Sequence, residues 1–312
     1  MGFKNIRLPS IGIRVWLLLL VLTTLLPFLA FSAYSIYRLG QDQTKIQEQE
    51  LMHHAQAAAL SVAKRLEVSQ NILGLLASSE EAQRPNLPAL HALAKKLTQL
   101  TPGNISIALI DANLNMVFIT SQPYGAPGFK IHHPEEARAV LQTQKSSASA
   151  PIYSPIWKQW VVAVKVPIVR NGVAQYVLRM VVPIDEFRQI LKDFNLPQDW
   201  NAGLFHHSGQ IIARTSDHDQ FVGQPAVHFM VKLLLERHEG AFENRNLKGE
   251  MVRGFLVQVQ GWDWMLGVAA PSQKLSDAVF DALIHVVLVG LFFTLLALSL
   301  SFSLAHYLSH TR

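Results

Sequence analysis

Residues 203–216 read GLFHHSGQIIARTS, and they repeat the pattern of residues 108–121, which read ALIDANLNMVFITS. The two stretches align without a gap at an offset of 95 residues, and both end in Thr-Ser. Each contains two apolar runs around a polar centre, the pattern of two strands joined by a tight turn. The sequence therefore predicts a hairpin-based module that occurs twice in the chain.

The histidine pair of the second stretch is predicted to lie at a turn and not in a metal site. His206 and His207 align with Asp111 and Ala112, and a metal site is not expected to copy its scaffold while losing its ligands. Further pairs occur at 53–54 and 132–133, of which the second is the stronger candidate because it lies in a loop. Adjacent histidines chelate poorly without partners from elsewhere, so we expect no metal site.

The two turns differ in the residue that can adopt a positive φ. Gly209 suits the second turn because it has no Cβ to clash with the backbone. Its counterpart in the first hairpin is Leu114. A leucine is disfavoured in that conformation, so we expect Asn113 or Asn115 to carry the positive φ of the first turn.

Two long uncharged stretches predict a membrane protein. Of the 312 residues, 50% are hydrophobic and 16% are charged, and residues 15–37 contain no charged side chain. Residues 282–308 form a second such stretch. A transmembrane helix needs about 20 apolar residues, so both are predicted spans. A signal peptide is the alternative for the first, but its apolar core is longer than usual.

Charges around the predicted spans indicate the orientation. Three basic residues precede the first span, and two acidic residues precede the second: Lys4, Arg7, Arg14, Asp277 and Asp281. The positive-inside rule then places both termini, residues 1–14 and 309–312, in the cytoplasm and residues 38–281 outside it. Much of the net charge of +5 comes from the N-terminal tail, so we expect no nucleic-acid partner. The chain has no cysteine and hence no disulfide.

Residues 38–84 are predicted to form a stalk helix that continues from the first span. Small and apolar residues recur in alternating steps of three and four: Met52, Ala55, Ala59, Val62, Leu66, Ser69, Leu73 and Leu76. This spacing places them on one stripe of a helix. The stripe either packs on the sheet of its own domain or forms the seam of a homodimer, and the sequence leaves both readings open.

The region beyond the stalk is predicted to be α+β, with two antiparallel-sheet units at 85–195 and 196–271. An Asn-Gly turn at 171–172 joins two long apolar strands, which is a strong hairpin signal. The remaining predicted strands are 105–110, 116–120, 241–246, 251–258 and 264–270. Each unit ends in a strand, a proline and an exit helix, and the second exit helix, 272–281, leads into the second span.

The order of these elements resembles the double Cache (PAS-like) sensor regions of bacterial transmembrane receptors. LPQDWNAGLFHHSGQIIAR at 196–214 is similar to the opening strand pair of that family, whose turn is usually Asp-x-x-Gly. QFVGQPA at 220–226 resembles its Phe-x-Gly loop, and GWDWMLGVAAP at 261–271 resembles its closing Gly-Trp-x-Trp strand. The resemblance implies a sensor in the bacterial inner membrane, with a periplasmic region coupled to a histidine kinase, a diguanylate cyclase or a chemoreceptor module.

A small-molecule site is expected in the first, membrane-distal unit. A pocket needs apolar walls and a few polar groups, and the candidate ligand-binding residues are Tyr124, Phe129, Tyr153, Trp157, Trp160 and Arg179. A two-residue turn would pair Lys165 with Leu178, which predicts that Lys165 and Arg179 point to opposite faces of the sheet. Arg179 could hold a carboxylate in a fork, as in an organic acid, or it could be a solvated or packed side chain.

No residue pattern indicates an enzyme or a cofactor. The sequence contains no nucleophile elbow, phosphate loop or zinc-protease motif, and it lacks the Arg-x-Trp-Tyr motif of Cache units that bind amino acids. We therefore expect a sensor input region, dimeric through the stalk helix, whose output module is either part of a longer chain or a separate partner. The alternative is a membrane-tethered scaffolding module without a small ligand.

Overall fold

The computed structural model describes residues 13–310 except 102, 104, 128–130, 132 and 156, and it leaves some side chains of the first and last helices undescribed. Most of the predicted N-terminal tail, the candidate Phe129 and His132 therefore lie outside the described residues. The chain divides into two compact bodies, one formed by residues 1–47 with 272–312 and the other by residues 48–271, which contains both sheet units.

Eight helices and eleven strands occur in the described part of the chain. The helices are α1 Ile13–Ser78, α2 Glu80–Gln83, α3 Leu87–Leu100, α4 Pro134–Thr143, α5 Ile184–Asp193, α6 His218–Phe221, α7 His228–Leu235 and α8 Gln273–His310. The strands of the first unit are β1 Ser106–Asp111, β2 Met116–Ile119, β3 Ser147–Ala148, β4 Ile152–Ser154, β5 Gln159–Arg170 and β6 Val173–Pro183. Those of the second are β7 Asn201–His206, β8 Ile211–Arg214, β9 Gly240–Arg245, β10 Met251–Gln258 and β11 Trp264–Pro271.

The beginning of α1 and the whole of α8 belong to the smaller of these two bodies. The two helices approach closely where Gly290 of α8 lies against Leu29 of α1. Over the residues that the structure describes, no helix reaches the combination of length and hydropathy that a membrane crossing needs. The spans at 15–37 and 282–308 thus remain predictions.

The first sheet has the strand order β2-β1-β6-β5-β3, with β4 paired to β5 and all pairings antiparallel. Its inner face packs against α1, where seven of the eight residues of the predicted stripe are buried and Met52 is partly exposed. The seven, at most 4% exposed, are Ala55, Ala59, Val62, Leu66, Ser69, Leu73 and Leu76. Leu178, Met180 and Val164 of the sheet belong to the same core. The stripe therefore packs on its own domain.

The predicted pairing of β5 with β6 is wrong by one residue. At the turn Arg170 pairs with Val173, as expected, but Ile168 then pairs with Tyr176, which leaves Gln175 as a bulge. A bulge inserts one residue into one strand and so reverses the face of every residue beyond it. Lys165 consequently lies directly opposite Arg179, and the two cations share one face.

The second sheet repeats the first. Its order β8-β7-β11-β10-β9 matches β2-β1-β6-β5-β3 strand for strand. Even the irregularity of the opening hairpin recurs, between Leu109 and Ile110 in the first copy and between Leu204 and Phe205 in the second. The offset of 95 residues thus links equivalent positions in space, and the predicted duplication is confirmed for the opening hairpins.

The first turn does not use an asparagine for its positive φ, contrary to the sequence-based expectation. Leu114 itself has a φ of 66°. Asp111 stabilises this conformation, because its Oδ1 accepts hydrogen bonds from the backbone N–H of Asn113 at 2.9 Å and of Asn115 at 2.7 Å. The Leu114 side chain also packs against the apolar cluster beneath α4. Gly209 has a φ of 96°, as predicted.

A tryptophan of the first unit contacts a glycine of the second. Gly223 follows α6 with a φ of 78°, and a Cβ added there would overlap the indole of Trp160. Trp160 also packs edge-on against Tyr153, at 5.6 Å between ring centroids. The absence of a side chain at residue 223 therefore lets the two units meet closely.

We expect Gly223→Ala to cost more stability than Gly249→Ala. Both glycines have similar positive φ values, 78° and 82°, but nothing lies within 4 Å of a Cβ at Gly249. Each alanine should cost roughly 1–2 kcal/mol for its backbone conformation, and Gly223→Ala about 1–3 kcal/mol more for overlap with the indole. Urea unfolding of the purified variants measures the difference, and equal losses would show that the Trp160 contact is not tight.

Candidate ligand-binding site

The outer face of the first sheet carries a polar row beneath α4. Ser147, Lys165, Arg179 and Ala108 lie opposite one another on four neighbouring strands. Because directly paired residues point to the same side of a sheet, these side chains share the outer face. Two apolar patches flank the row: Ile110 and Val177 with Ala137 and Val140 of α4, and Ile152, Val161 and Val181 with Trp157.

Two cations in this row are buried with one carboxylate. Lys165 is 3% exposed and Arg179 is 8% exposed. Glu136, in the first turn of α4, forms an ion pair with the Lys165 ammonium. Burial lowers the pKa of Lys165 below its ordinary value, and the charge of Glu136 opposes this effect. Burial likewise lowers the pKa of Arg179. When Lys165, Arg179 and Glu136 are all ionised, these three side chains carry a net charge of +1.

Two polar atoms of the row have no hydrogen-bond partner among the described residues. They are Nε of Arg179 and Oγ of Ser147, and both are shielded from solvent. A buried donor that lacks a partner costs about 1–3 kcal/mol. A guanidinium Nε–H lies in the plane of a fork that matches a carboxylate. The row can therefore accept an anionic group without first breaking a hydrogen bond of the Arg179 Nε.

The other predicted site residues lie in different places. Trp157 packs at one end of the outer face, on the same side of the sheet as Arg179. Tyr153 and Trp160 are paired on the inner face, where Trp160 joins the large core. Tyr124 contacts His91 of α3 at 5.8 Å and Phe118 at 6.4 Å between ring centroids. The structure thus brings Arg179 and Trp157 to one face and places the three tyrosine and tryptophan candidates elsewhere.

Sequence reasoning missed three members of the polar row. The expectation that Lys165 and Arg179 face opposite sides is wrong, because the bulge at Gln175 leaves no signal in the apolar pattern. Ser147 belongs to a strand of two residues, which is too short to predict. Glu136 stands in the first turn of a helix, a position that ordinarily indicates only helix stabilisation, and its partner becomes evident only when the register is known.

His206 ends β7 and stabilises the turn of the second hairpin. Its Nδ1 lies 3.3 Å from the backbone N–H of Ser208, from which it accepts a hydrogen bond, and 2.8 Å from the Ser208 hydroxyl. This is the role that Asp111 performs in the first hairpin. His206 is 7% exposed, and burial, with a smaller contribution from His207, lowers its pKa to about 4. A search of the described residues finds no group of three or more His, Cys, Asp or Glu side chains that could hold a metal ion.

Comparison with known proteins identifies the fold through structure alone. No protein-family model matches the sequence. A search of curated proteins gives no match either. Among solved structures, the extracellular domain of a protein described as a histidine kinase, rpHK1S-Z16, is similar with a TM-score of 0.61 and 16% identity, over 74% of this chain and 97% of that one.

Two chemoreceptor domains are similar to the same extent. The ligand-binding domain of Pseudomonas fluorescens CtaA, in complex with L-isoleucine, gives a TM-score of 0.59 and 13% identity over 76% of this chain and 98% of that one. The ligand-binding domain of Pseudomonas aeruginosa PAO1 PctB, in complex with L-Arg, gives a TM-score of 0.58 and 14% identity over 74% of this chain and 97% of that one. The chain therefore has the fold of extracellular sensor domains, and its resemblance to double Cache regions is confirmed at the level of the fold.

We expect the stability of the protein to depend on His206 in mildly acidic solution. A histidine whose pKa is lower in the folded than in the unfolded state stabilises the fold above its unfolded pKa, and this stability is lost as the pH falls towards the folded pKa. With a folded pKa of about 4, a decrease from about pH 7 to about pH 4.5 should cost about 2–3 kcal/mol through His206.

His206→Asn tests this expectation, because an asparagine Oδ1 can accept the Ser208 N–H bond but does not titrate. Chemical unfolding at both pH values should show a loss smaller by about 2–3 kcal/mol in the variant than in the unmodified chain. His228→Asn, at an exposed position, is the control and should retain the full pH dependence. An unchanged loss in His206→Asn would mean that His206 titrates normally.

Proposed function

We propose that this chain is the input region of a membrane-anchored receptor, and that it binds a small organic acid on the outer face of the first sheet. The observation that supports this proposal is the polar row beneath α4, which contains two buried cations, one carboxylate and an unpartnered Arg179 Nε. The fold, shared with sensor domains of histidine kinases and chemoreceptors, is compatible with this role.

The charge of the polar row favours an acid over an amino acid as the ligand. An amino acid carries an α-ammonium group, which needs an acceptor with negative charge. Glu136 is the carboxylate of the row, and Lys165 already binds it. A carboxylate on Arg179 would instead neutralise the excess positive charge and satisfy the Nε–H. Domains of similar fold are known in complex with L-isoleucine and with L-Arg.

Glu136 provides a means of coupling binding to a change in the protein. A ligand carboxylate placed at Arg179 competes with Glu136 for electrostatic attraction to Lys165 and Arg179. Glu136 belongs to α4, which packs on the sheet through Ala137 and Val140. A weaker Glu136–Lys165 ion pair therefore alters how α4 is held, and the ligand selects the arrangement to which it binds more tightly.

The proposal includes a membrane topology and an output. Residues 15–37 and 282–308 are the proposed spans, with residues 38–281 in the periplasm. The signal passes through the second span to a cytoplasmic histidine kinase, or else to a diguanylate cyclase or chemoreceptor module, in cis or in trans. A homodimer would use the side of α1 that its own domain leaves free, where Leu60, Val68 and Leu75 are 67%, 46% and 73% exposed.

Arg179→Met should weaken binding of the organic acid. A panel of lactate, pyruvate, succinate, malate and citrate, titrated calorimetrically into the purified chain, identifies a binder. Loss of the charge-assisted bonds should then weaken it by about 10–150-fold. Arg138→Met removes an exposed arginine from α4 and should leave affinity unchanged. Full affinity in Arg179→Met would refute this site, and a protein partner captured without any ligand would support scaffolding.

Glu136→Gln should have the opposite effect on affinity. The substitution keeps the size of the side chain and removes the carboxylate that competes with the ligand for Lys165 and Arg179. We expect binding of the same acid to become roughly tenfold tighter, measured by the same titration. A circular-dichroism spectrum controls for folding, since the change leaves two buried cations unbalanced. Weaker binding in a folded variant would mean that Glu136 contacts the ligand favourably.

A further inference from the structure

The second unit contains a cleft on the equivalent outer face of its sheet. The cleft lies between the sheet and α7 and has a volume of about 100 Å³. Phe205, Phe242 and Met230 form its walls, and these residues belong to a satellite apolar cluster that is separate from the main core. The cleft is therefore distinct from the polar row of the first unit.

Small residues at the centre of the second sheet line the floor of this cleft. Gly203 of β7 and Gly267 of β11 lie directly opposite each other, and Ala269 follows on the same face. Neither glycine has a positive φ, so backbone conformation does not require them. Glycine inside a strand often marks a place that another group approaches closely. A Cβ at Gly203 would lie 2.7 Å from the ring of Phe205, and one at Gly267 would lie 3.3 Å from Leu256, so the two glycines let the walls of the cleft approach the sheet.

The polar lining of the cleft is cationic. It contains Arg214 and Arg245 with three asparagines, and none of the described lining residues is acidic. The Nη1 of Arg214 is shielded from solvent and has no hydrogen-bond partner in the described part of the chain. Its guanidinium lies over the ring of Phe221, at 5.0 Å from the centroid. Asp217, which acts on Arg214 through space, is bound by Lys248 at 2.9 Å.

The internal repeat places this guanidinium in the same row of the sheet as the cations of the first unit. Arg214 lies opposite Gly203, which in turn lies opposite Gly267. The offset of 95 residues makes Gly203 the counterpart of Ala108, whose own partner across the sheet is Arg179. The two copies thus carry a guanidinium in equivalent rows, on different strands.

We propose that the cleft of the second unit is a separate binding site for a small apolar monocarboxylate. The carboxylate would be held by Arg214, and the apolar body would lie among Phe205, Met230 and Phe242. At about 100 Å³ the cleft is smaller than the engineered apolar cavity of about 150 Å³ that holds benzene, which favours a short aliphatic acid over an aromatic one. A guanidinium that stacks on an aromatic ring can still donate hydrogen bonds to a carboxylate from the N–H groups at its edge. This site goes beyond the organic-acid site proposed for the first unit and shares no residue with it.

The test is a calorimetric titration of the purified chain with butyrate, isovalerate and benzoate, and with benzamide as the uncharged counterpart of benzoate. We expect at least one acid to bind and benzamide to bind at least about tenfold more weakly. Arg214→Met should weaken the acid by about tenfold or more. Gly267→Ala adds a methyl group to the floor of the cleft and should weaken binding of the acid several-fold. This variant provides the test if Arg214→Met does not fold.

Arg179→Met separates this site from that of the first unit. An acid whose binding Arg214→Met weakens should still bind after Arg179→Met, and Arg138→Met, on the exposed side of α4, is the control that should leave binding unchanged. Undiminished binding in both Arg214→Met and Gly267→Ala, or binding that disappears in Arg179→Met, would overturn the proposal. The absence of binding by all three acids would overturn it as well, without bearing on the organic-acid site.

Discussion

One extra residue in β6 determines the chemistry of the first sheet. Without the bulge at Gln175, Lys165 would lie opposite Leu178 and face the α1 core. With it, Lys165 and Arg179 share the outer face. Two cations that are 3% and 8% exposed repel each other strongly enough to require a carboxylate nearby, and α4 supplies Glu136. The charge of the polar row therefore follows from this single irregularity.

The duplicated architecture shows how one backbone plan carries two kinds of cavity. The inner face of each sheet contributes to the apolar core, so the outer face is where the copies are free to differ. In the first copy that face holds two cations at its centre, whereas in the second the same positions are Gly267 and Leu256. The opening turns also reach the same geometry with different chemistry, since a carboxylate of Asp111 and an imidazole of His206 accept equivalent backbone hydrogen bonds.

Much of the fold could be predicted from the sequence, because it rests on patterns that repeat over many residues. The stripe along α1, the Asn-Gly hairpin and the paired opening hairpins each depend on periodicity or on a specific turn residue, and the structure confirms them. The register of β5 with β6 could not be predicted, because alternation of apolar residues does not reveal a bulge. Leu114 adopted a conformation disfavoured for leucine because Asp111 and the cluster beneath α4 compensate for it.

The candidate site was predicted less completely than the fold. Arg179 was selected because a base interrupts an apolar strand, and this signal is local. Its neighbours Glu136 and Ser147 come from a helix and a strand that only the tertiary structure brings together. The aromatic candidates were chosen by proximity in sequence, which does not indicate the face of a sheet: Trp157 and Trp160 are three residues apart and lie on opposite sides.

The contact of Trp160 with Gly223 has a consequence for building chimeric proteins with this fold. An indole from one module occupies the volume that a side chain of the other would need, so the two positions are compatible only as a pair. A first unit taken from another protein of this fold would bring its own residue at the position of Trp160. A bulky residue there would require a glycine at position 223. The natural unit of exchange is therefore the first module together with the loop that follows α6.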